Sequence, residues 1–511
     1  MRQSYVWSNI GTLLVIVGIC MLLPMAAGLY FHEAEYADFG KVAAVTMLCG
    51  LALHELTRLK ERKRISLREG YALVTYGWIV VAVFAMVPYL LTGTFTTITD
   101  AFFETMSGLT TVGASVLADI EHTPKCVLLW RSMTQWLGGM GILVLFVALM
   151  AGHGTGAMQI FKAESSNQVK SRIETKIFDT ARGLWRIYML TTAIIIVLYC
   201  VAGMGLFDAV NHGFTAISTG GFSTKINSIG YYDSAFIDWV TVFSMFLAGM
   251  NYSLYFYALR ARSLRCFVQS LELKVYLGIA VVSTLAVLWF IAPQYDGSLP
   301  LALRHAAFQV VSVITTTGFI TCDFEQWAVP AQFILILLML CGACAGSTTG
   351  GIKIDRHVLL AQKAVQEIRR FMHPRMVTRL KSNSQLVDDE VVLAVTTFFY
   401  IYLFLIVIGT YLVCMMGGAM LDSLTAVMSC LGGVGPAIGE WGPTGSYTTA
   451  PAGVKWILTV LMLLGRLEIY TVLVLFRRPF QNRKKKKPVE IVDGLENLEE
   501  NAFLEPMVRE N

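Results

Sequence analysis

Apolar stretches of membrane-spanning length recur along the whole chain, separated by short polar segments. An α-helix needs about 20 apolar residues to cross the hydrocarbon core of a bilayer. The pattern predicts ten spans, over residues 7–30, 40–56, 70–92, 127–151, 186–206, 236–258, 274–293, 330–352, 389–415 and 452–476. The first stretch exceeds the roughly 7–15 apolar residues of a signal peptide and a second span follows it, so we expect it to remain as a membrane helix.

A shorter pattern repeats four times inside this series. Each repeat has a short apolar stretch, a glycine loop and then a span with a Leu-x-Gly landmark. Thirteen residues before the loop glycines stand Asp100, Asp208, His305 and Asp422, which predicts aspartate N-caps on three short helices. The loops are Thr111-Val112-Gly113-Ala114, Thr219-Gly220-Gly221-Phe222, Thr316-Thr317-Gly318-Phe319 and Gly433-Val434-Gly435-Pro436, and the landmarks are Leu137-Gly138-Gly139, Leu247-Ala248-Gly249, Leu340-Cys341-Gly342 and Leu463-Leu464-Gly465.

Recurring internal landmarks of this kind indicate pseudo-symmetric units fused in one polypeptide. We therefore predict an all-α integral membrane protein with four repeats of helix, pore helix, filter loop and helix around one pore, plus two N-terminal transmembrane helices. The expected divisions are a two-helix prefix over 1–66, repeats over 67–172, 173–266, 267–385 and 386–478, and a disordered cytoplasmic tail over 479–511.

The composition agrees with a membrane protein. Of the 511 residues 55% are hydrophobic and 15% are charged, whereas soluble domains carry about 25% charged residues. Basic residues crowd into alternate loops, over 58–64, 162–182, 260–265, 353–381 and 477–487, while the other loops are acidic. The positive-inside rule then places the basic loops and both termini in the cytoplasm and all four glycine loops outside. The net charge of +5 belongs to these loops and does not indicate a nucleic-acid partner.

The short helices and their glycines predict a cation filter. Such a helix cannot cross a bilayer, and its C-terminus carries about −0.5 of an elementary charge. Rings of backbone carbonyls select cations, and glycine permits the positive φ that turns carbonyls inward. Uncharged oxygen ligands favour a monovalent ion. The predicted filter comprises Thr111, Val112, Gly113, Thr219, Gly220, Gly221, Thr316, Thr317, Gly318, Gly433, Val434 and Gly435, with the ion at the carbonyl oxygens of Thr111, Val112, Thr219, Gly220, Thr316, Thr317, Gly433 and Val434.

Two features near the filter predict a gate. The third repeat's second span is interrupted by a flexible run, Gly346-Ser347-Thr348-Thr349-Gly350-Gly351, which lacks the Gly-Lys-Ser/Thr ending of a phosphate loop. We expect it to form a mobile intramembrane gate, and a local kink is the alternative. The second feature is Arg466, since an intramembrane arginine normally faces a cavity or a partner. It either obstructs cations at the pore or forms a structural ion pair.

Further polar residues belong to the same repeats. Glu104, His212 and Gln309 hold equivalent positions before their glycines, and we interpret them as a polar scaffold behind the filter rather than a proton relay. Arg131 begins the span after the first loop, where it either anchors the filter backbone or extends its charged end outward to water.

These motifs closely resemble the TrkH/TrkG potassium-uptake family of bacteria, within the superfamily that also holds the KtrB and HKT proteins. The resemblance runs from the first span to about Phe476, and the prefix is similar to TrkH rather than to the shorter KtrB. The segments that carry it are Thr110-Thr111-Val112-Gly113-Ala114-Ser115, Ser218-Thr219-Gly220-Gly221-Phe222-Ser223-Thr224, Thr315-Thr316-Thr317-Gly318-Phe319, Gly346-Ser347-Thr348-Thr349-Gly350-Gly351-Ile352-Lys353 and Gly465-Arg466-Leu467-Glu468-Ile469.

The resemblance implies potassium uptake across the bacterial inner membrane by a homodimer. It also implies a cytosolic regulatory ring similar to TrkA, which would bind NAD(H) or ATP/ADP, while this chain carries no covalent cofactor and is not an enzyme. In the HKT relatives a serine at the first filter glycine goes with sodium selectivity, and all four positions are glycine here. Sodium conduction and cation-coupled symport remain the alternatives. Membrane lipid is the expected partner of the basic run Arg483-Lys484-Lys485-Lys486-Lys487.

Overall fold

Long apolar helices and shorter helices together build the described part of the protein. The structure, a computed structural model, describes residues 3–58, 67–141, 177–374, 380–382 and 385–476. The predicted tail over 479–511 and most of the basic loops over 58–64, 162–182 and 477–487 therefore lie outside the described residues. The α-helices are α1 (Gln3–Cys20), α2 (Leu22–Tyr30), α3 (Tyr36–Thr57), α4 (Leu67–Ala85), α5 (Val87–Leu91), α6 (Ile98–Leu109), α7 (Lys125–Gly139), α8 (Ile177–Val201), α9 (Leu206–Ile217), α10 (Ala235–Ala248), α11 (Tyr252–Ala261), α12 (Arg265–Gln269), α13 (Leu271–Ile291), α14 (Leu299–Ile314), α15 (Val329–Met339), α16 (Ile354–Met372), α17 (Asp389–Met415), α18 (Met420–Gly432), α19 (Ala452–Arg466) and α20 (Tyr470–Phe476).

The predicted all-α class is confirmed. The described residues also include two strands of two residues each, β1 (Lys381–Ser382) and β2 (Gln385–Leu386), which pair antiparallel with Lys381 opposite Leu386. In the described part of the chain six helical stretches are long and apolar enough to cross a membrane, or seven if a bent pair counts as one span. These are Gln3–Tyr30, Tyr36–Thr57, Glu69–Leu91, Ala181–Val201, Leu271–Tyr295 and Asp389–Met415, with Ala235–Ala248 and Tyr252–Arg260 as the bent pair.

The two-helix prefix is attached to the first repeat by close packing and by a capping carboxylate. A Cβ built on Gly11 would lie 2.6 Å from the Gly50 carbonyl oxygen, so the glycines let α1 and α3 approach closely. The Glu33 carboxylate accepts hydrogen bonds from the backbone N–H groups of Lys125 (2.6 Å) and Cys126 (2.9 Å), which open α7. A side chain from the prefix thus satisfies donors that a helix N-terminus leaves free.

The second span of every repeat is shorter than predicted, because the helix stops at the Leu-x-Gly landmark. In repeat 1 α7 ends at Gly139, and in repeat 2 α10 and α11 meet at an angle of 84°. In repeat 3 α15 ends at Met339, and in repeat 4 α19 ends at Arg466 before α20 begins. The sequence predicts this interruption in repeat 3 only, so the continuous helices predicted over 236–258 and 452–476 are wrong. The helix predicted over 127–151 ends at Gly139, and residues 142–151 lie outside the described residues.

Contact with the pore helices explains why these landmarks contain glycine. A Cβ on Gly138 would collide with the carbonyl oxygen of Leu109, and one on Gly465 would collide with that of Leu431. Leu109 and Leu431 lie at the C-terminal ends of α6 and α18, each four residues before its loop glycine. The landmarks in the sequence align Gly465 with Gly139 and therefore Arg466 with Met140. In the structure Gly465 is equivalent to Gly138 instead. Arg466 therefore corresponds to Gly139.

The predicted short helices are present as α6, α9, α14 and α18, with 12, 12, 16 and 13 residues. The predicted N-caps are wrong by one turn. Asp100, Asp208 and Asp422 stand at the third helical position, and the N-caps are Thr97, Gly205 and Ala419. A carboxylate in the first turn still stabilises the helix, because it opposes the positive end of the helix dipole.

Candidate cation filter and gate

The backbone of the four glycine loops follows one repeated conformation. The loop glycine and the residue two positions before it both have positive φ, and the residue between them does not. This alternation turns successive carbonyl groups toward one side of the chain, as the filter prediction requires. The φ values are 59° and 84° at Thr111 and Gly113, 55° and 78° at Thr219 and Gly221, 51° and 77° at Thr316 and Gly318, and 81° and 101° at Gly433 and Gly435.

Each loop begins as the C-terminal cap of its pore helix. The N–H group of the residue before the glycine donates to a carbonyl five residues earlier, which is the long hydrogen bond of a Schellman cap. A threonine with positive φ is strained, because β-branched residues disfavour this region, and three repeats accept it. The caps are Val112 to Ser107 (2.9 Å), Gly220 to Thr215 (2.9 Å), Thr317 to Ser312 (2.8 Å) and Val434 to Ser429 (2.9 Å).

The four loops close into one ring. Each loop glycine faces the carbonyl oxygen that precedes the glycine of the next repeat, so closely that an added Cβ would collide with it in the first three repeats and lie 2.6 Å from it in the fourth. The order around the ring is the order along the chain, and the last contact returns to the first repeat. The pairs are Gly113 with Gly220, Gly221 with Thr317, Gly318 with Val434, and Gly435 with Val112.

The ring has the electrostatics of a site for a monovalent cation. Four pore-helix C-termini end at the loops, and together they present up to about −2 elementary charges. The loop segments contain no acidic residue, so the oxygens available there come from backbone carbonyls and threonine hydroxyls. A divalent ion normally requires carboxylates. The residues present therefore fit K⁺ or another alkali cation as the transported ion.

The threonine hydroxyls of the second and third loops contact the interrupted segment of repeat 3. The hydroxyl of Thr219 donates to Thr348 Oγ1 at 3.3 Å. The hydroxyl of Thr316 accepts from the N–H group of Gly350 at 2.8 Å. In repeat 4, where the equivalent residue is Gly433, a Cβ would lie 3.6 Å from the Gly350 Cα. The side chains of Thr219 and Thr316 therefore support the segment.

The predicted gate segment, residues 346–351, contacts the C-terminal ends of the pore helices. Thr348 Oγ1 donates to the carbonyl of Ile217 at 3.1 Å, at the end of α9. A Cβ on Gly350 would collide with the carbonyl of Gly432, at the end of α18. The structure thus places the predicted gate residues directly beside the filter loops, on the side where the pore helices end.

Arg466 holds this segment against the first repeat. Its guanidinium donates to the carbonyl oxygens of Thr348 (3.0 Å), Gly139 (2.8 Å) and Gly138, and to the hydroxyl of Thr111 at 3.4 Å. The predicted gate residues are therefore in mutual contact. The positive charge occupies the region that the helix C-termini make favourable for a cation.

Glu468 forms an ion pair that the sequence does not reveal. Its carboxylate lies 2.8 Å from Arg356 Nη2, at the start of α16. Glu468 and Ile469 both have positive φ, of 53° and 47°. Two adjacent strained residues mark the break between α19 and α20. The ion pair joins this break to the helix that follows the gate segment.

The predicted scaffold behind the filter is present in repeats 1 and 2. Glu104 is fully buried and accepts from Ser115 Oγ (3.0 Å), from the N–H of Val116 (2.8 Å) and from Arg131 Nε (2.8 Å). His212 Nε2 lies 2.9 Å from Ser223 Oγ, which is equivalent to Ser115. Arg131 is 2% exposed, so the alternative that its charge extends to water is wrong.

Ionic contacts also join neighbouring repeats away from the ring. Lys455 Nζ of repeat 4 lies 2.6 Å from the Asp100 carboxylate of repeat 1. The Glu325 carboxylate of repeat 3 accepts from the N–H of Gly439 at 2.6 Å in repeat 4. Partial burial of Glu325 raises its pKa above the ordinary 4.5, and nearby Asp323 and Asp422 act in the same direction.

Comparison with known proteins identifies the architecture. The family model of the TrkH cation transport proteins matches residues 40–486. The TrkH potassium uptake protein of the Trk system of Halomonas elongata is 37% identical over 476 residues, which cover 92% of this chain and 98% of that protein. Its Escherichia coli K12 counterpart is 35% identical over 477 residues, with the same coverage of both chains.

A solved structure agrees with this assignment. The crystal structure of the potassium transporter TrkH from Vibrio parahaemolyticus superposes with a TM-score of 0.84 at 32% sequence identity. The match covers 94% of this chain and all of the other. The similarity therefore includes the prefix and all four repeats.

Proposed function

This chain belongs to the TrkH family of cation transport proteins, and on that premise we propose that it takes up potassium ions across the bacterial inner membrane through its four glycine loops. The observation that carries the proposal is the closed ring, in which each loop glycine faces a carbonyl of the next repeat. The ion would be held by the carbonyls of Thr111, Val112, Thr219, Gly220, Thr316, Thr317, Gly433 and Val434, and its dehydration would be offset by these oxygens and by the helix C-termini.

Potassium is the favoured ion because all four loop positions are glycine. A side chain at Gly113, Gly221 or Gly318 would displace a carbonyl of the neighbouring repeat. The relatives from Halomonas elongata and Escherichia coli are named potassium uptake proteins. Both points support a ring whose spacing suits potassium rather than the smaller sodium ion.

Gating belongs to the segment Gly346–Gly351 together with Arg466. The segment touches loop threonines or pore-helix ends of repeats 2, 3 and 4, and Arg466 links it to repeat 1. In this position it obstructs the path below the ring. Conduction requires the segment to move aside together with the arginine.

Regulation would come from the cytoplasmic side. We place both termini and the basic α16 in the cytoplasm by the positive-inside rule. The partner would be a TrkA-like cytosolic ring that binds NAD(H) or ATP/ADP, acting on a homodimer of this chain. Exposed basic side chains on α16, Arg369 and Arg370, are candidates for this contact.

The test is ion flux in proteoliposomes with opposed potassium and sodium gradients, with and without the nucleotide-bound ring. We expect potassium flux that exceeds sodium flux and depends on membrane potential. Equal or greater sodium flux would favour the sodium-conducting alternative. Potassium movement that stops without a second ion gradient would favour symport.

A deletion within residues 346–351 distinguishes a mobile gate from a local kink of the helix. Removal of Ser347 and Thr348 should increase flux in the absence of the ring, because the segment would no longer reach the pore helices. A deletion of equal length between α13 and α14, at the exposed residues Asp296 and Gly297, is the control. Unchanged or lower flux through the gate variant would identify the segment as a local kink.

A further inference from the structure

One filter carbonyl receives a hydrogen bond from a side chain of another repeat. Gln135 on α7 of repeat 1 is fully buried. Its Nε2 donates to the carbonyl oxygen of Gly220 at 2.5 Å. Its Oε1 accepts from the N–H group of Phe222 at 3.1 Å. The amide therefore bridges the two peptide groups on either side of Gly221, the loop glycine of repeat 2.

The orientation of this amide follows from its partners. A backbone carbonyl can only accept and a backbone N–H can only donate, so the nitrogen of Gln135 must face Gly220 and its oxygen must face Phe222. The two bonds fix the side chain at both ends. A rotation of the Gly220 peptide would break the first bond and strain the second.

The sequence of the second loop matches this contact. The residue before the loop glycine is valine or threonine in the other repeats, at Val112, Thr317 and Val434, and glycine only at Gly220. A Cβ built on Gly220 would collide with the Gln135 amide. Gln135 therefore occupies the volume that the missing side chain of repeat 2 leaves.

The contact distinguishes the Gly220 carbonyl from the equivalent carbonyls of the other three repeats. Among the described residues no side chain donates in this way to the equivalent carbonyls of Val112, Thr317 and Val434, whereas Gly220 shares its oxygen with Gln135. A carbonyl oxygen has two lone pairs, so Gly220 can bind the amide and still face the pore. Its freedom to move toward a smaller ion is reduced.

A second side chain of α7 strengthens the same contact between repeats. Arg131 lies one helical turn before Gln135 and therefore on the same face. Arg131 Nη1 donates to the carbonyl of Ser223 at 3.3 Å, and its guanidinium stacks 4.2 Å from the Phe222 ring centroid. Its charge is balanced by Glu104 at 2.8 Å. This helix thus holds the second loop from Gly220 to Ser223.

We propose that Gln135 is a selectivity-positioning residue, which fixes the Gly220 carbonyl at the distance from the pore axis that suits potassium. The inference rests on the proposed function of the four loops as a potassium filter. Without the amide the Gly220 oxygen can approach the axis, and the ring can contract around sodium. Loss of the hydrogen bond should therefore change the ratio of potassium to sodium flux more than the total flux.

Two variants test the hydrogen bond separately from the packing. Gln135→Met keeps the length of the side chain and removes both hydrogen bonds. The double variant Gln135→Ala with Gly220→Val moves the filling side chain into repeat 2, as in repeats 1 and 4. Both should fold, as checked by a single symmetric gel-filtration peak. Both should lower the potassium-to-sodium flux ratio in proteoliposomes about three- to tenfold, the range expected when the hydrogen bond to the Gly220 carbonyl is lost.

Ser132→Ala is the matched control, because Ser132 is a buried polar residue of α7 that donates to Leu128 within its own helix. Its flux ratio should equal that of the unaltered protein. An unchanged ratio in folded Gln135→Met overturns the inference, and so does an equal shift in Ser132→Ala. A normal ratio restored by the double variant would make Gln135 a space filler and would also overturn it.

The unaltered protein separates this inference from the proposal on which it rests. If that protein does not prefer potassium, the potassium filter itself is wrong. If it prefers potassium and both Gln135 variants keep the preference, only the role of Gln135 is wrong.

Discussion

Arg466 donates a hydrogen bond to the carbonyl oxygen of Thr348 at 3.0 Å, across 118 residues of sequence. The arginine is the last residue of α19 in repeat 4, and the threonine lies in the interrupted span of repeat 3. The same guanidinium reaches Gly139 in repeat 1. One side chain thus connects three repeats at the ends of α7 and α19.

Charge removal at Arg466 should increase cation flux. Arg466→Gln takes a unit charge from the pore region, which should lower the barrier by about 1–3 kcal/mol at an intermediate dielectric constant. Flux should then rise about 5- to 150-fold. Arg466→Lys is the matched control, since it keeps the charge and loses the forked hydrogen bonding. If both variants conduct like the unaltered protein, Arg466 is a structural residue only.

Neutralisation of Glu468 should destabilise the arrangement in which residues 346–351 and Arg466 obstruct the path below the ring. Glu468→Gln removes the ion pair with Arg356, which connects the strained break of repeat 4 to α16. We expect higher ring-independent flux, measured with the same vesicles. Glu367→Gln is the control, because it breaks the solvent-exposed pair with Lys363 on the same helix and such pairs contribute little. Equal effects of the two variants would contradict a specific role for Glu468.

Substitution of a loop glycine should weaken potassium preference. In Gly113→Ser the new side chain would collide with the Gly220 carbonyl. The displaced oxygen should lower the potassium-to-sodium ratio at least about tenfold, equivalent to about 1.4 kcal/mol. Gly93→Ser is the control, because Gly93 also has positive φ and a Cβ there meets no atom within 4 Å. Unchanged selectivity in Gly113→Ser would count against the filter assignment.

The stability of the contact between repeats 3 and 4 should depend on pH through Glu325. Burial raises the pKa of this carboxyl above its ordinary 4.5. Because the charged form is disfavoured in the folded state, its contribution to stability is greatest below pH 4.5 and decreases as the pH rises through the folded pKa.

Glu325→Gln keeps an acceptor for the Gly439 N–H and cannot ionise. It should therefore unfold at a higher temperature than the unaltered protein at pH 7.5 and at a similar temperature at pH 4. Thermal unfolding in detergent measures both values. Glu440→Gln, at an exposed carboxyl nearby, is the control. A variant less stable than the unaltered protein at pH 7.5 would contradict the expected sign.

Local patterns were sufficient for the repeated elements and insufficient for their ends. The aspartates before each loop correctly indicated three pore helices, yet Asp100 occupies the third helical position and Thr97 is the cap. The landmark glycines mark the four repeats, yet the apolar pattern predicts continuous helices where the structure has breaks in repeats 2 and 4. At these breaks the landmark glycines pack against the ends of pore helices, as Gly465 does against Leu431. Apolar periodicity does not indicate which elements pack there.

The sequence by itself determined the class of protein and the four repeats, because hydrophobic length and backbone-permissive glycines are local properties. Its motifs indicated the family by resemblance, and the filter and gate residues stay predictions from those motifs. Only the tertiary structure decided how these parts are connected. The closure of the ring, the bond from Arg466 to Thr348 and the bridge from Gln135 to Gly220 each join residues of different repeats. Buried polar side chains are nearly always hydrogen-bonded, but only the tertiary fold determines which partner lies within hydrogen-bonding distance.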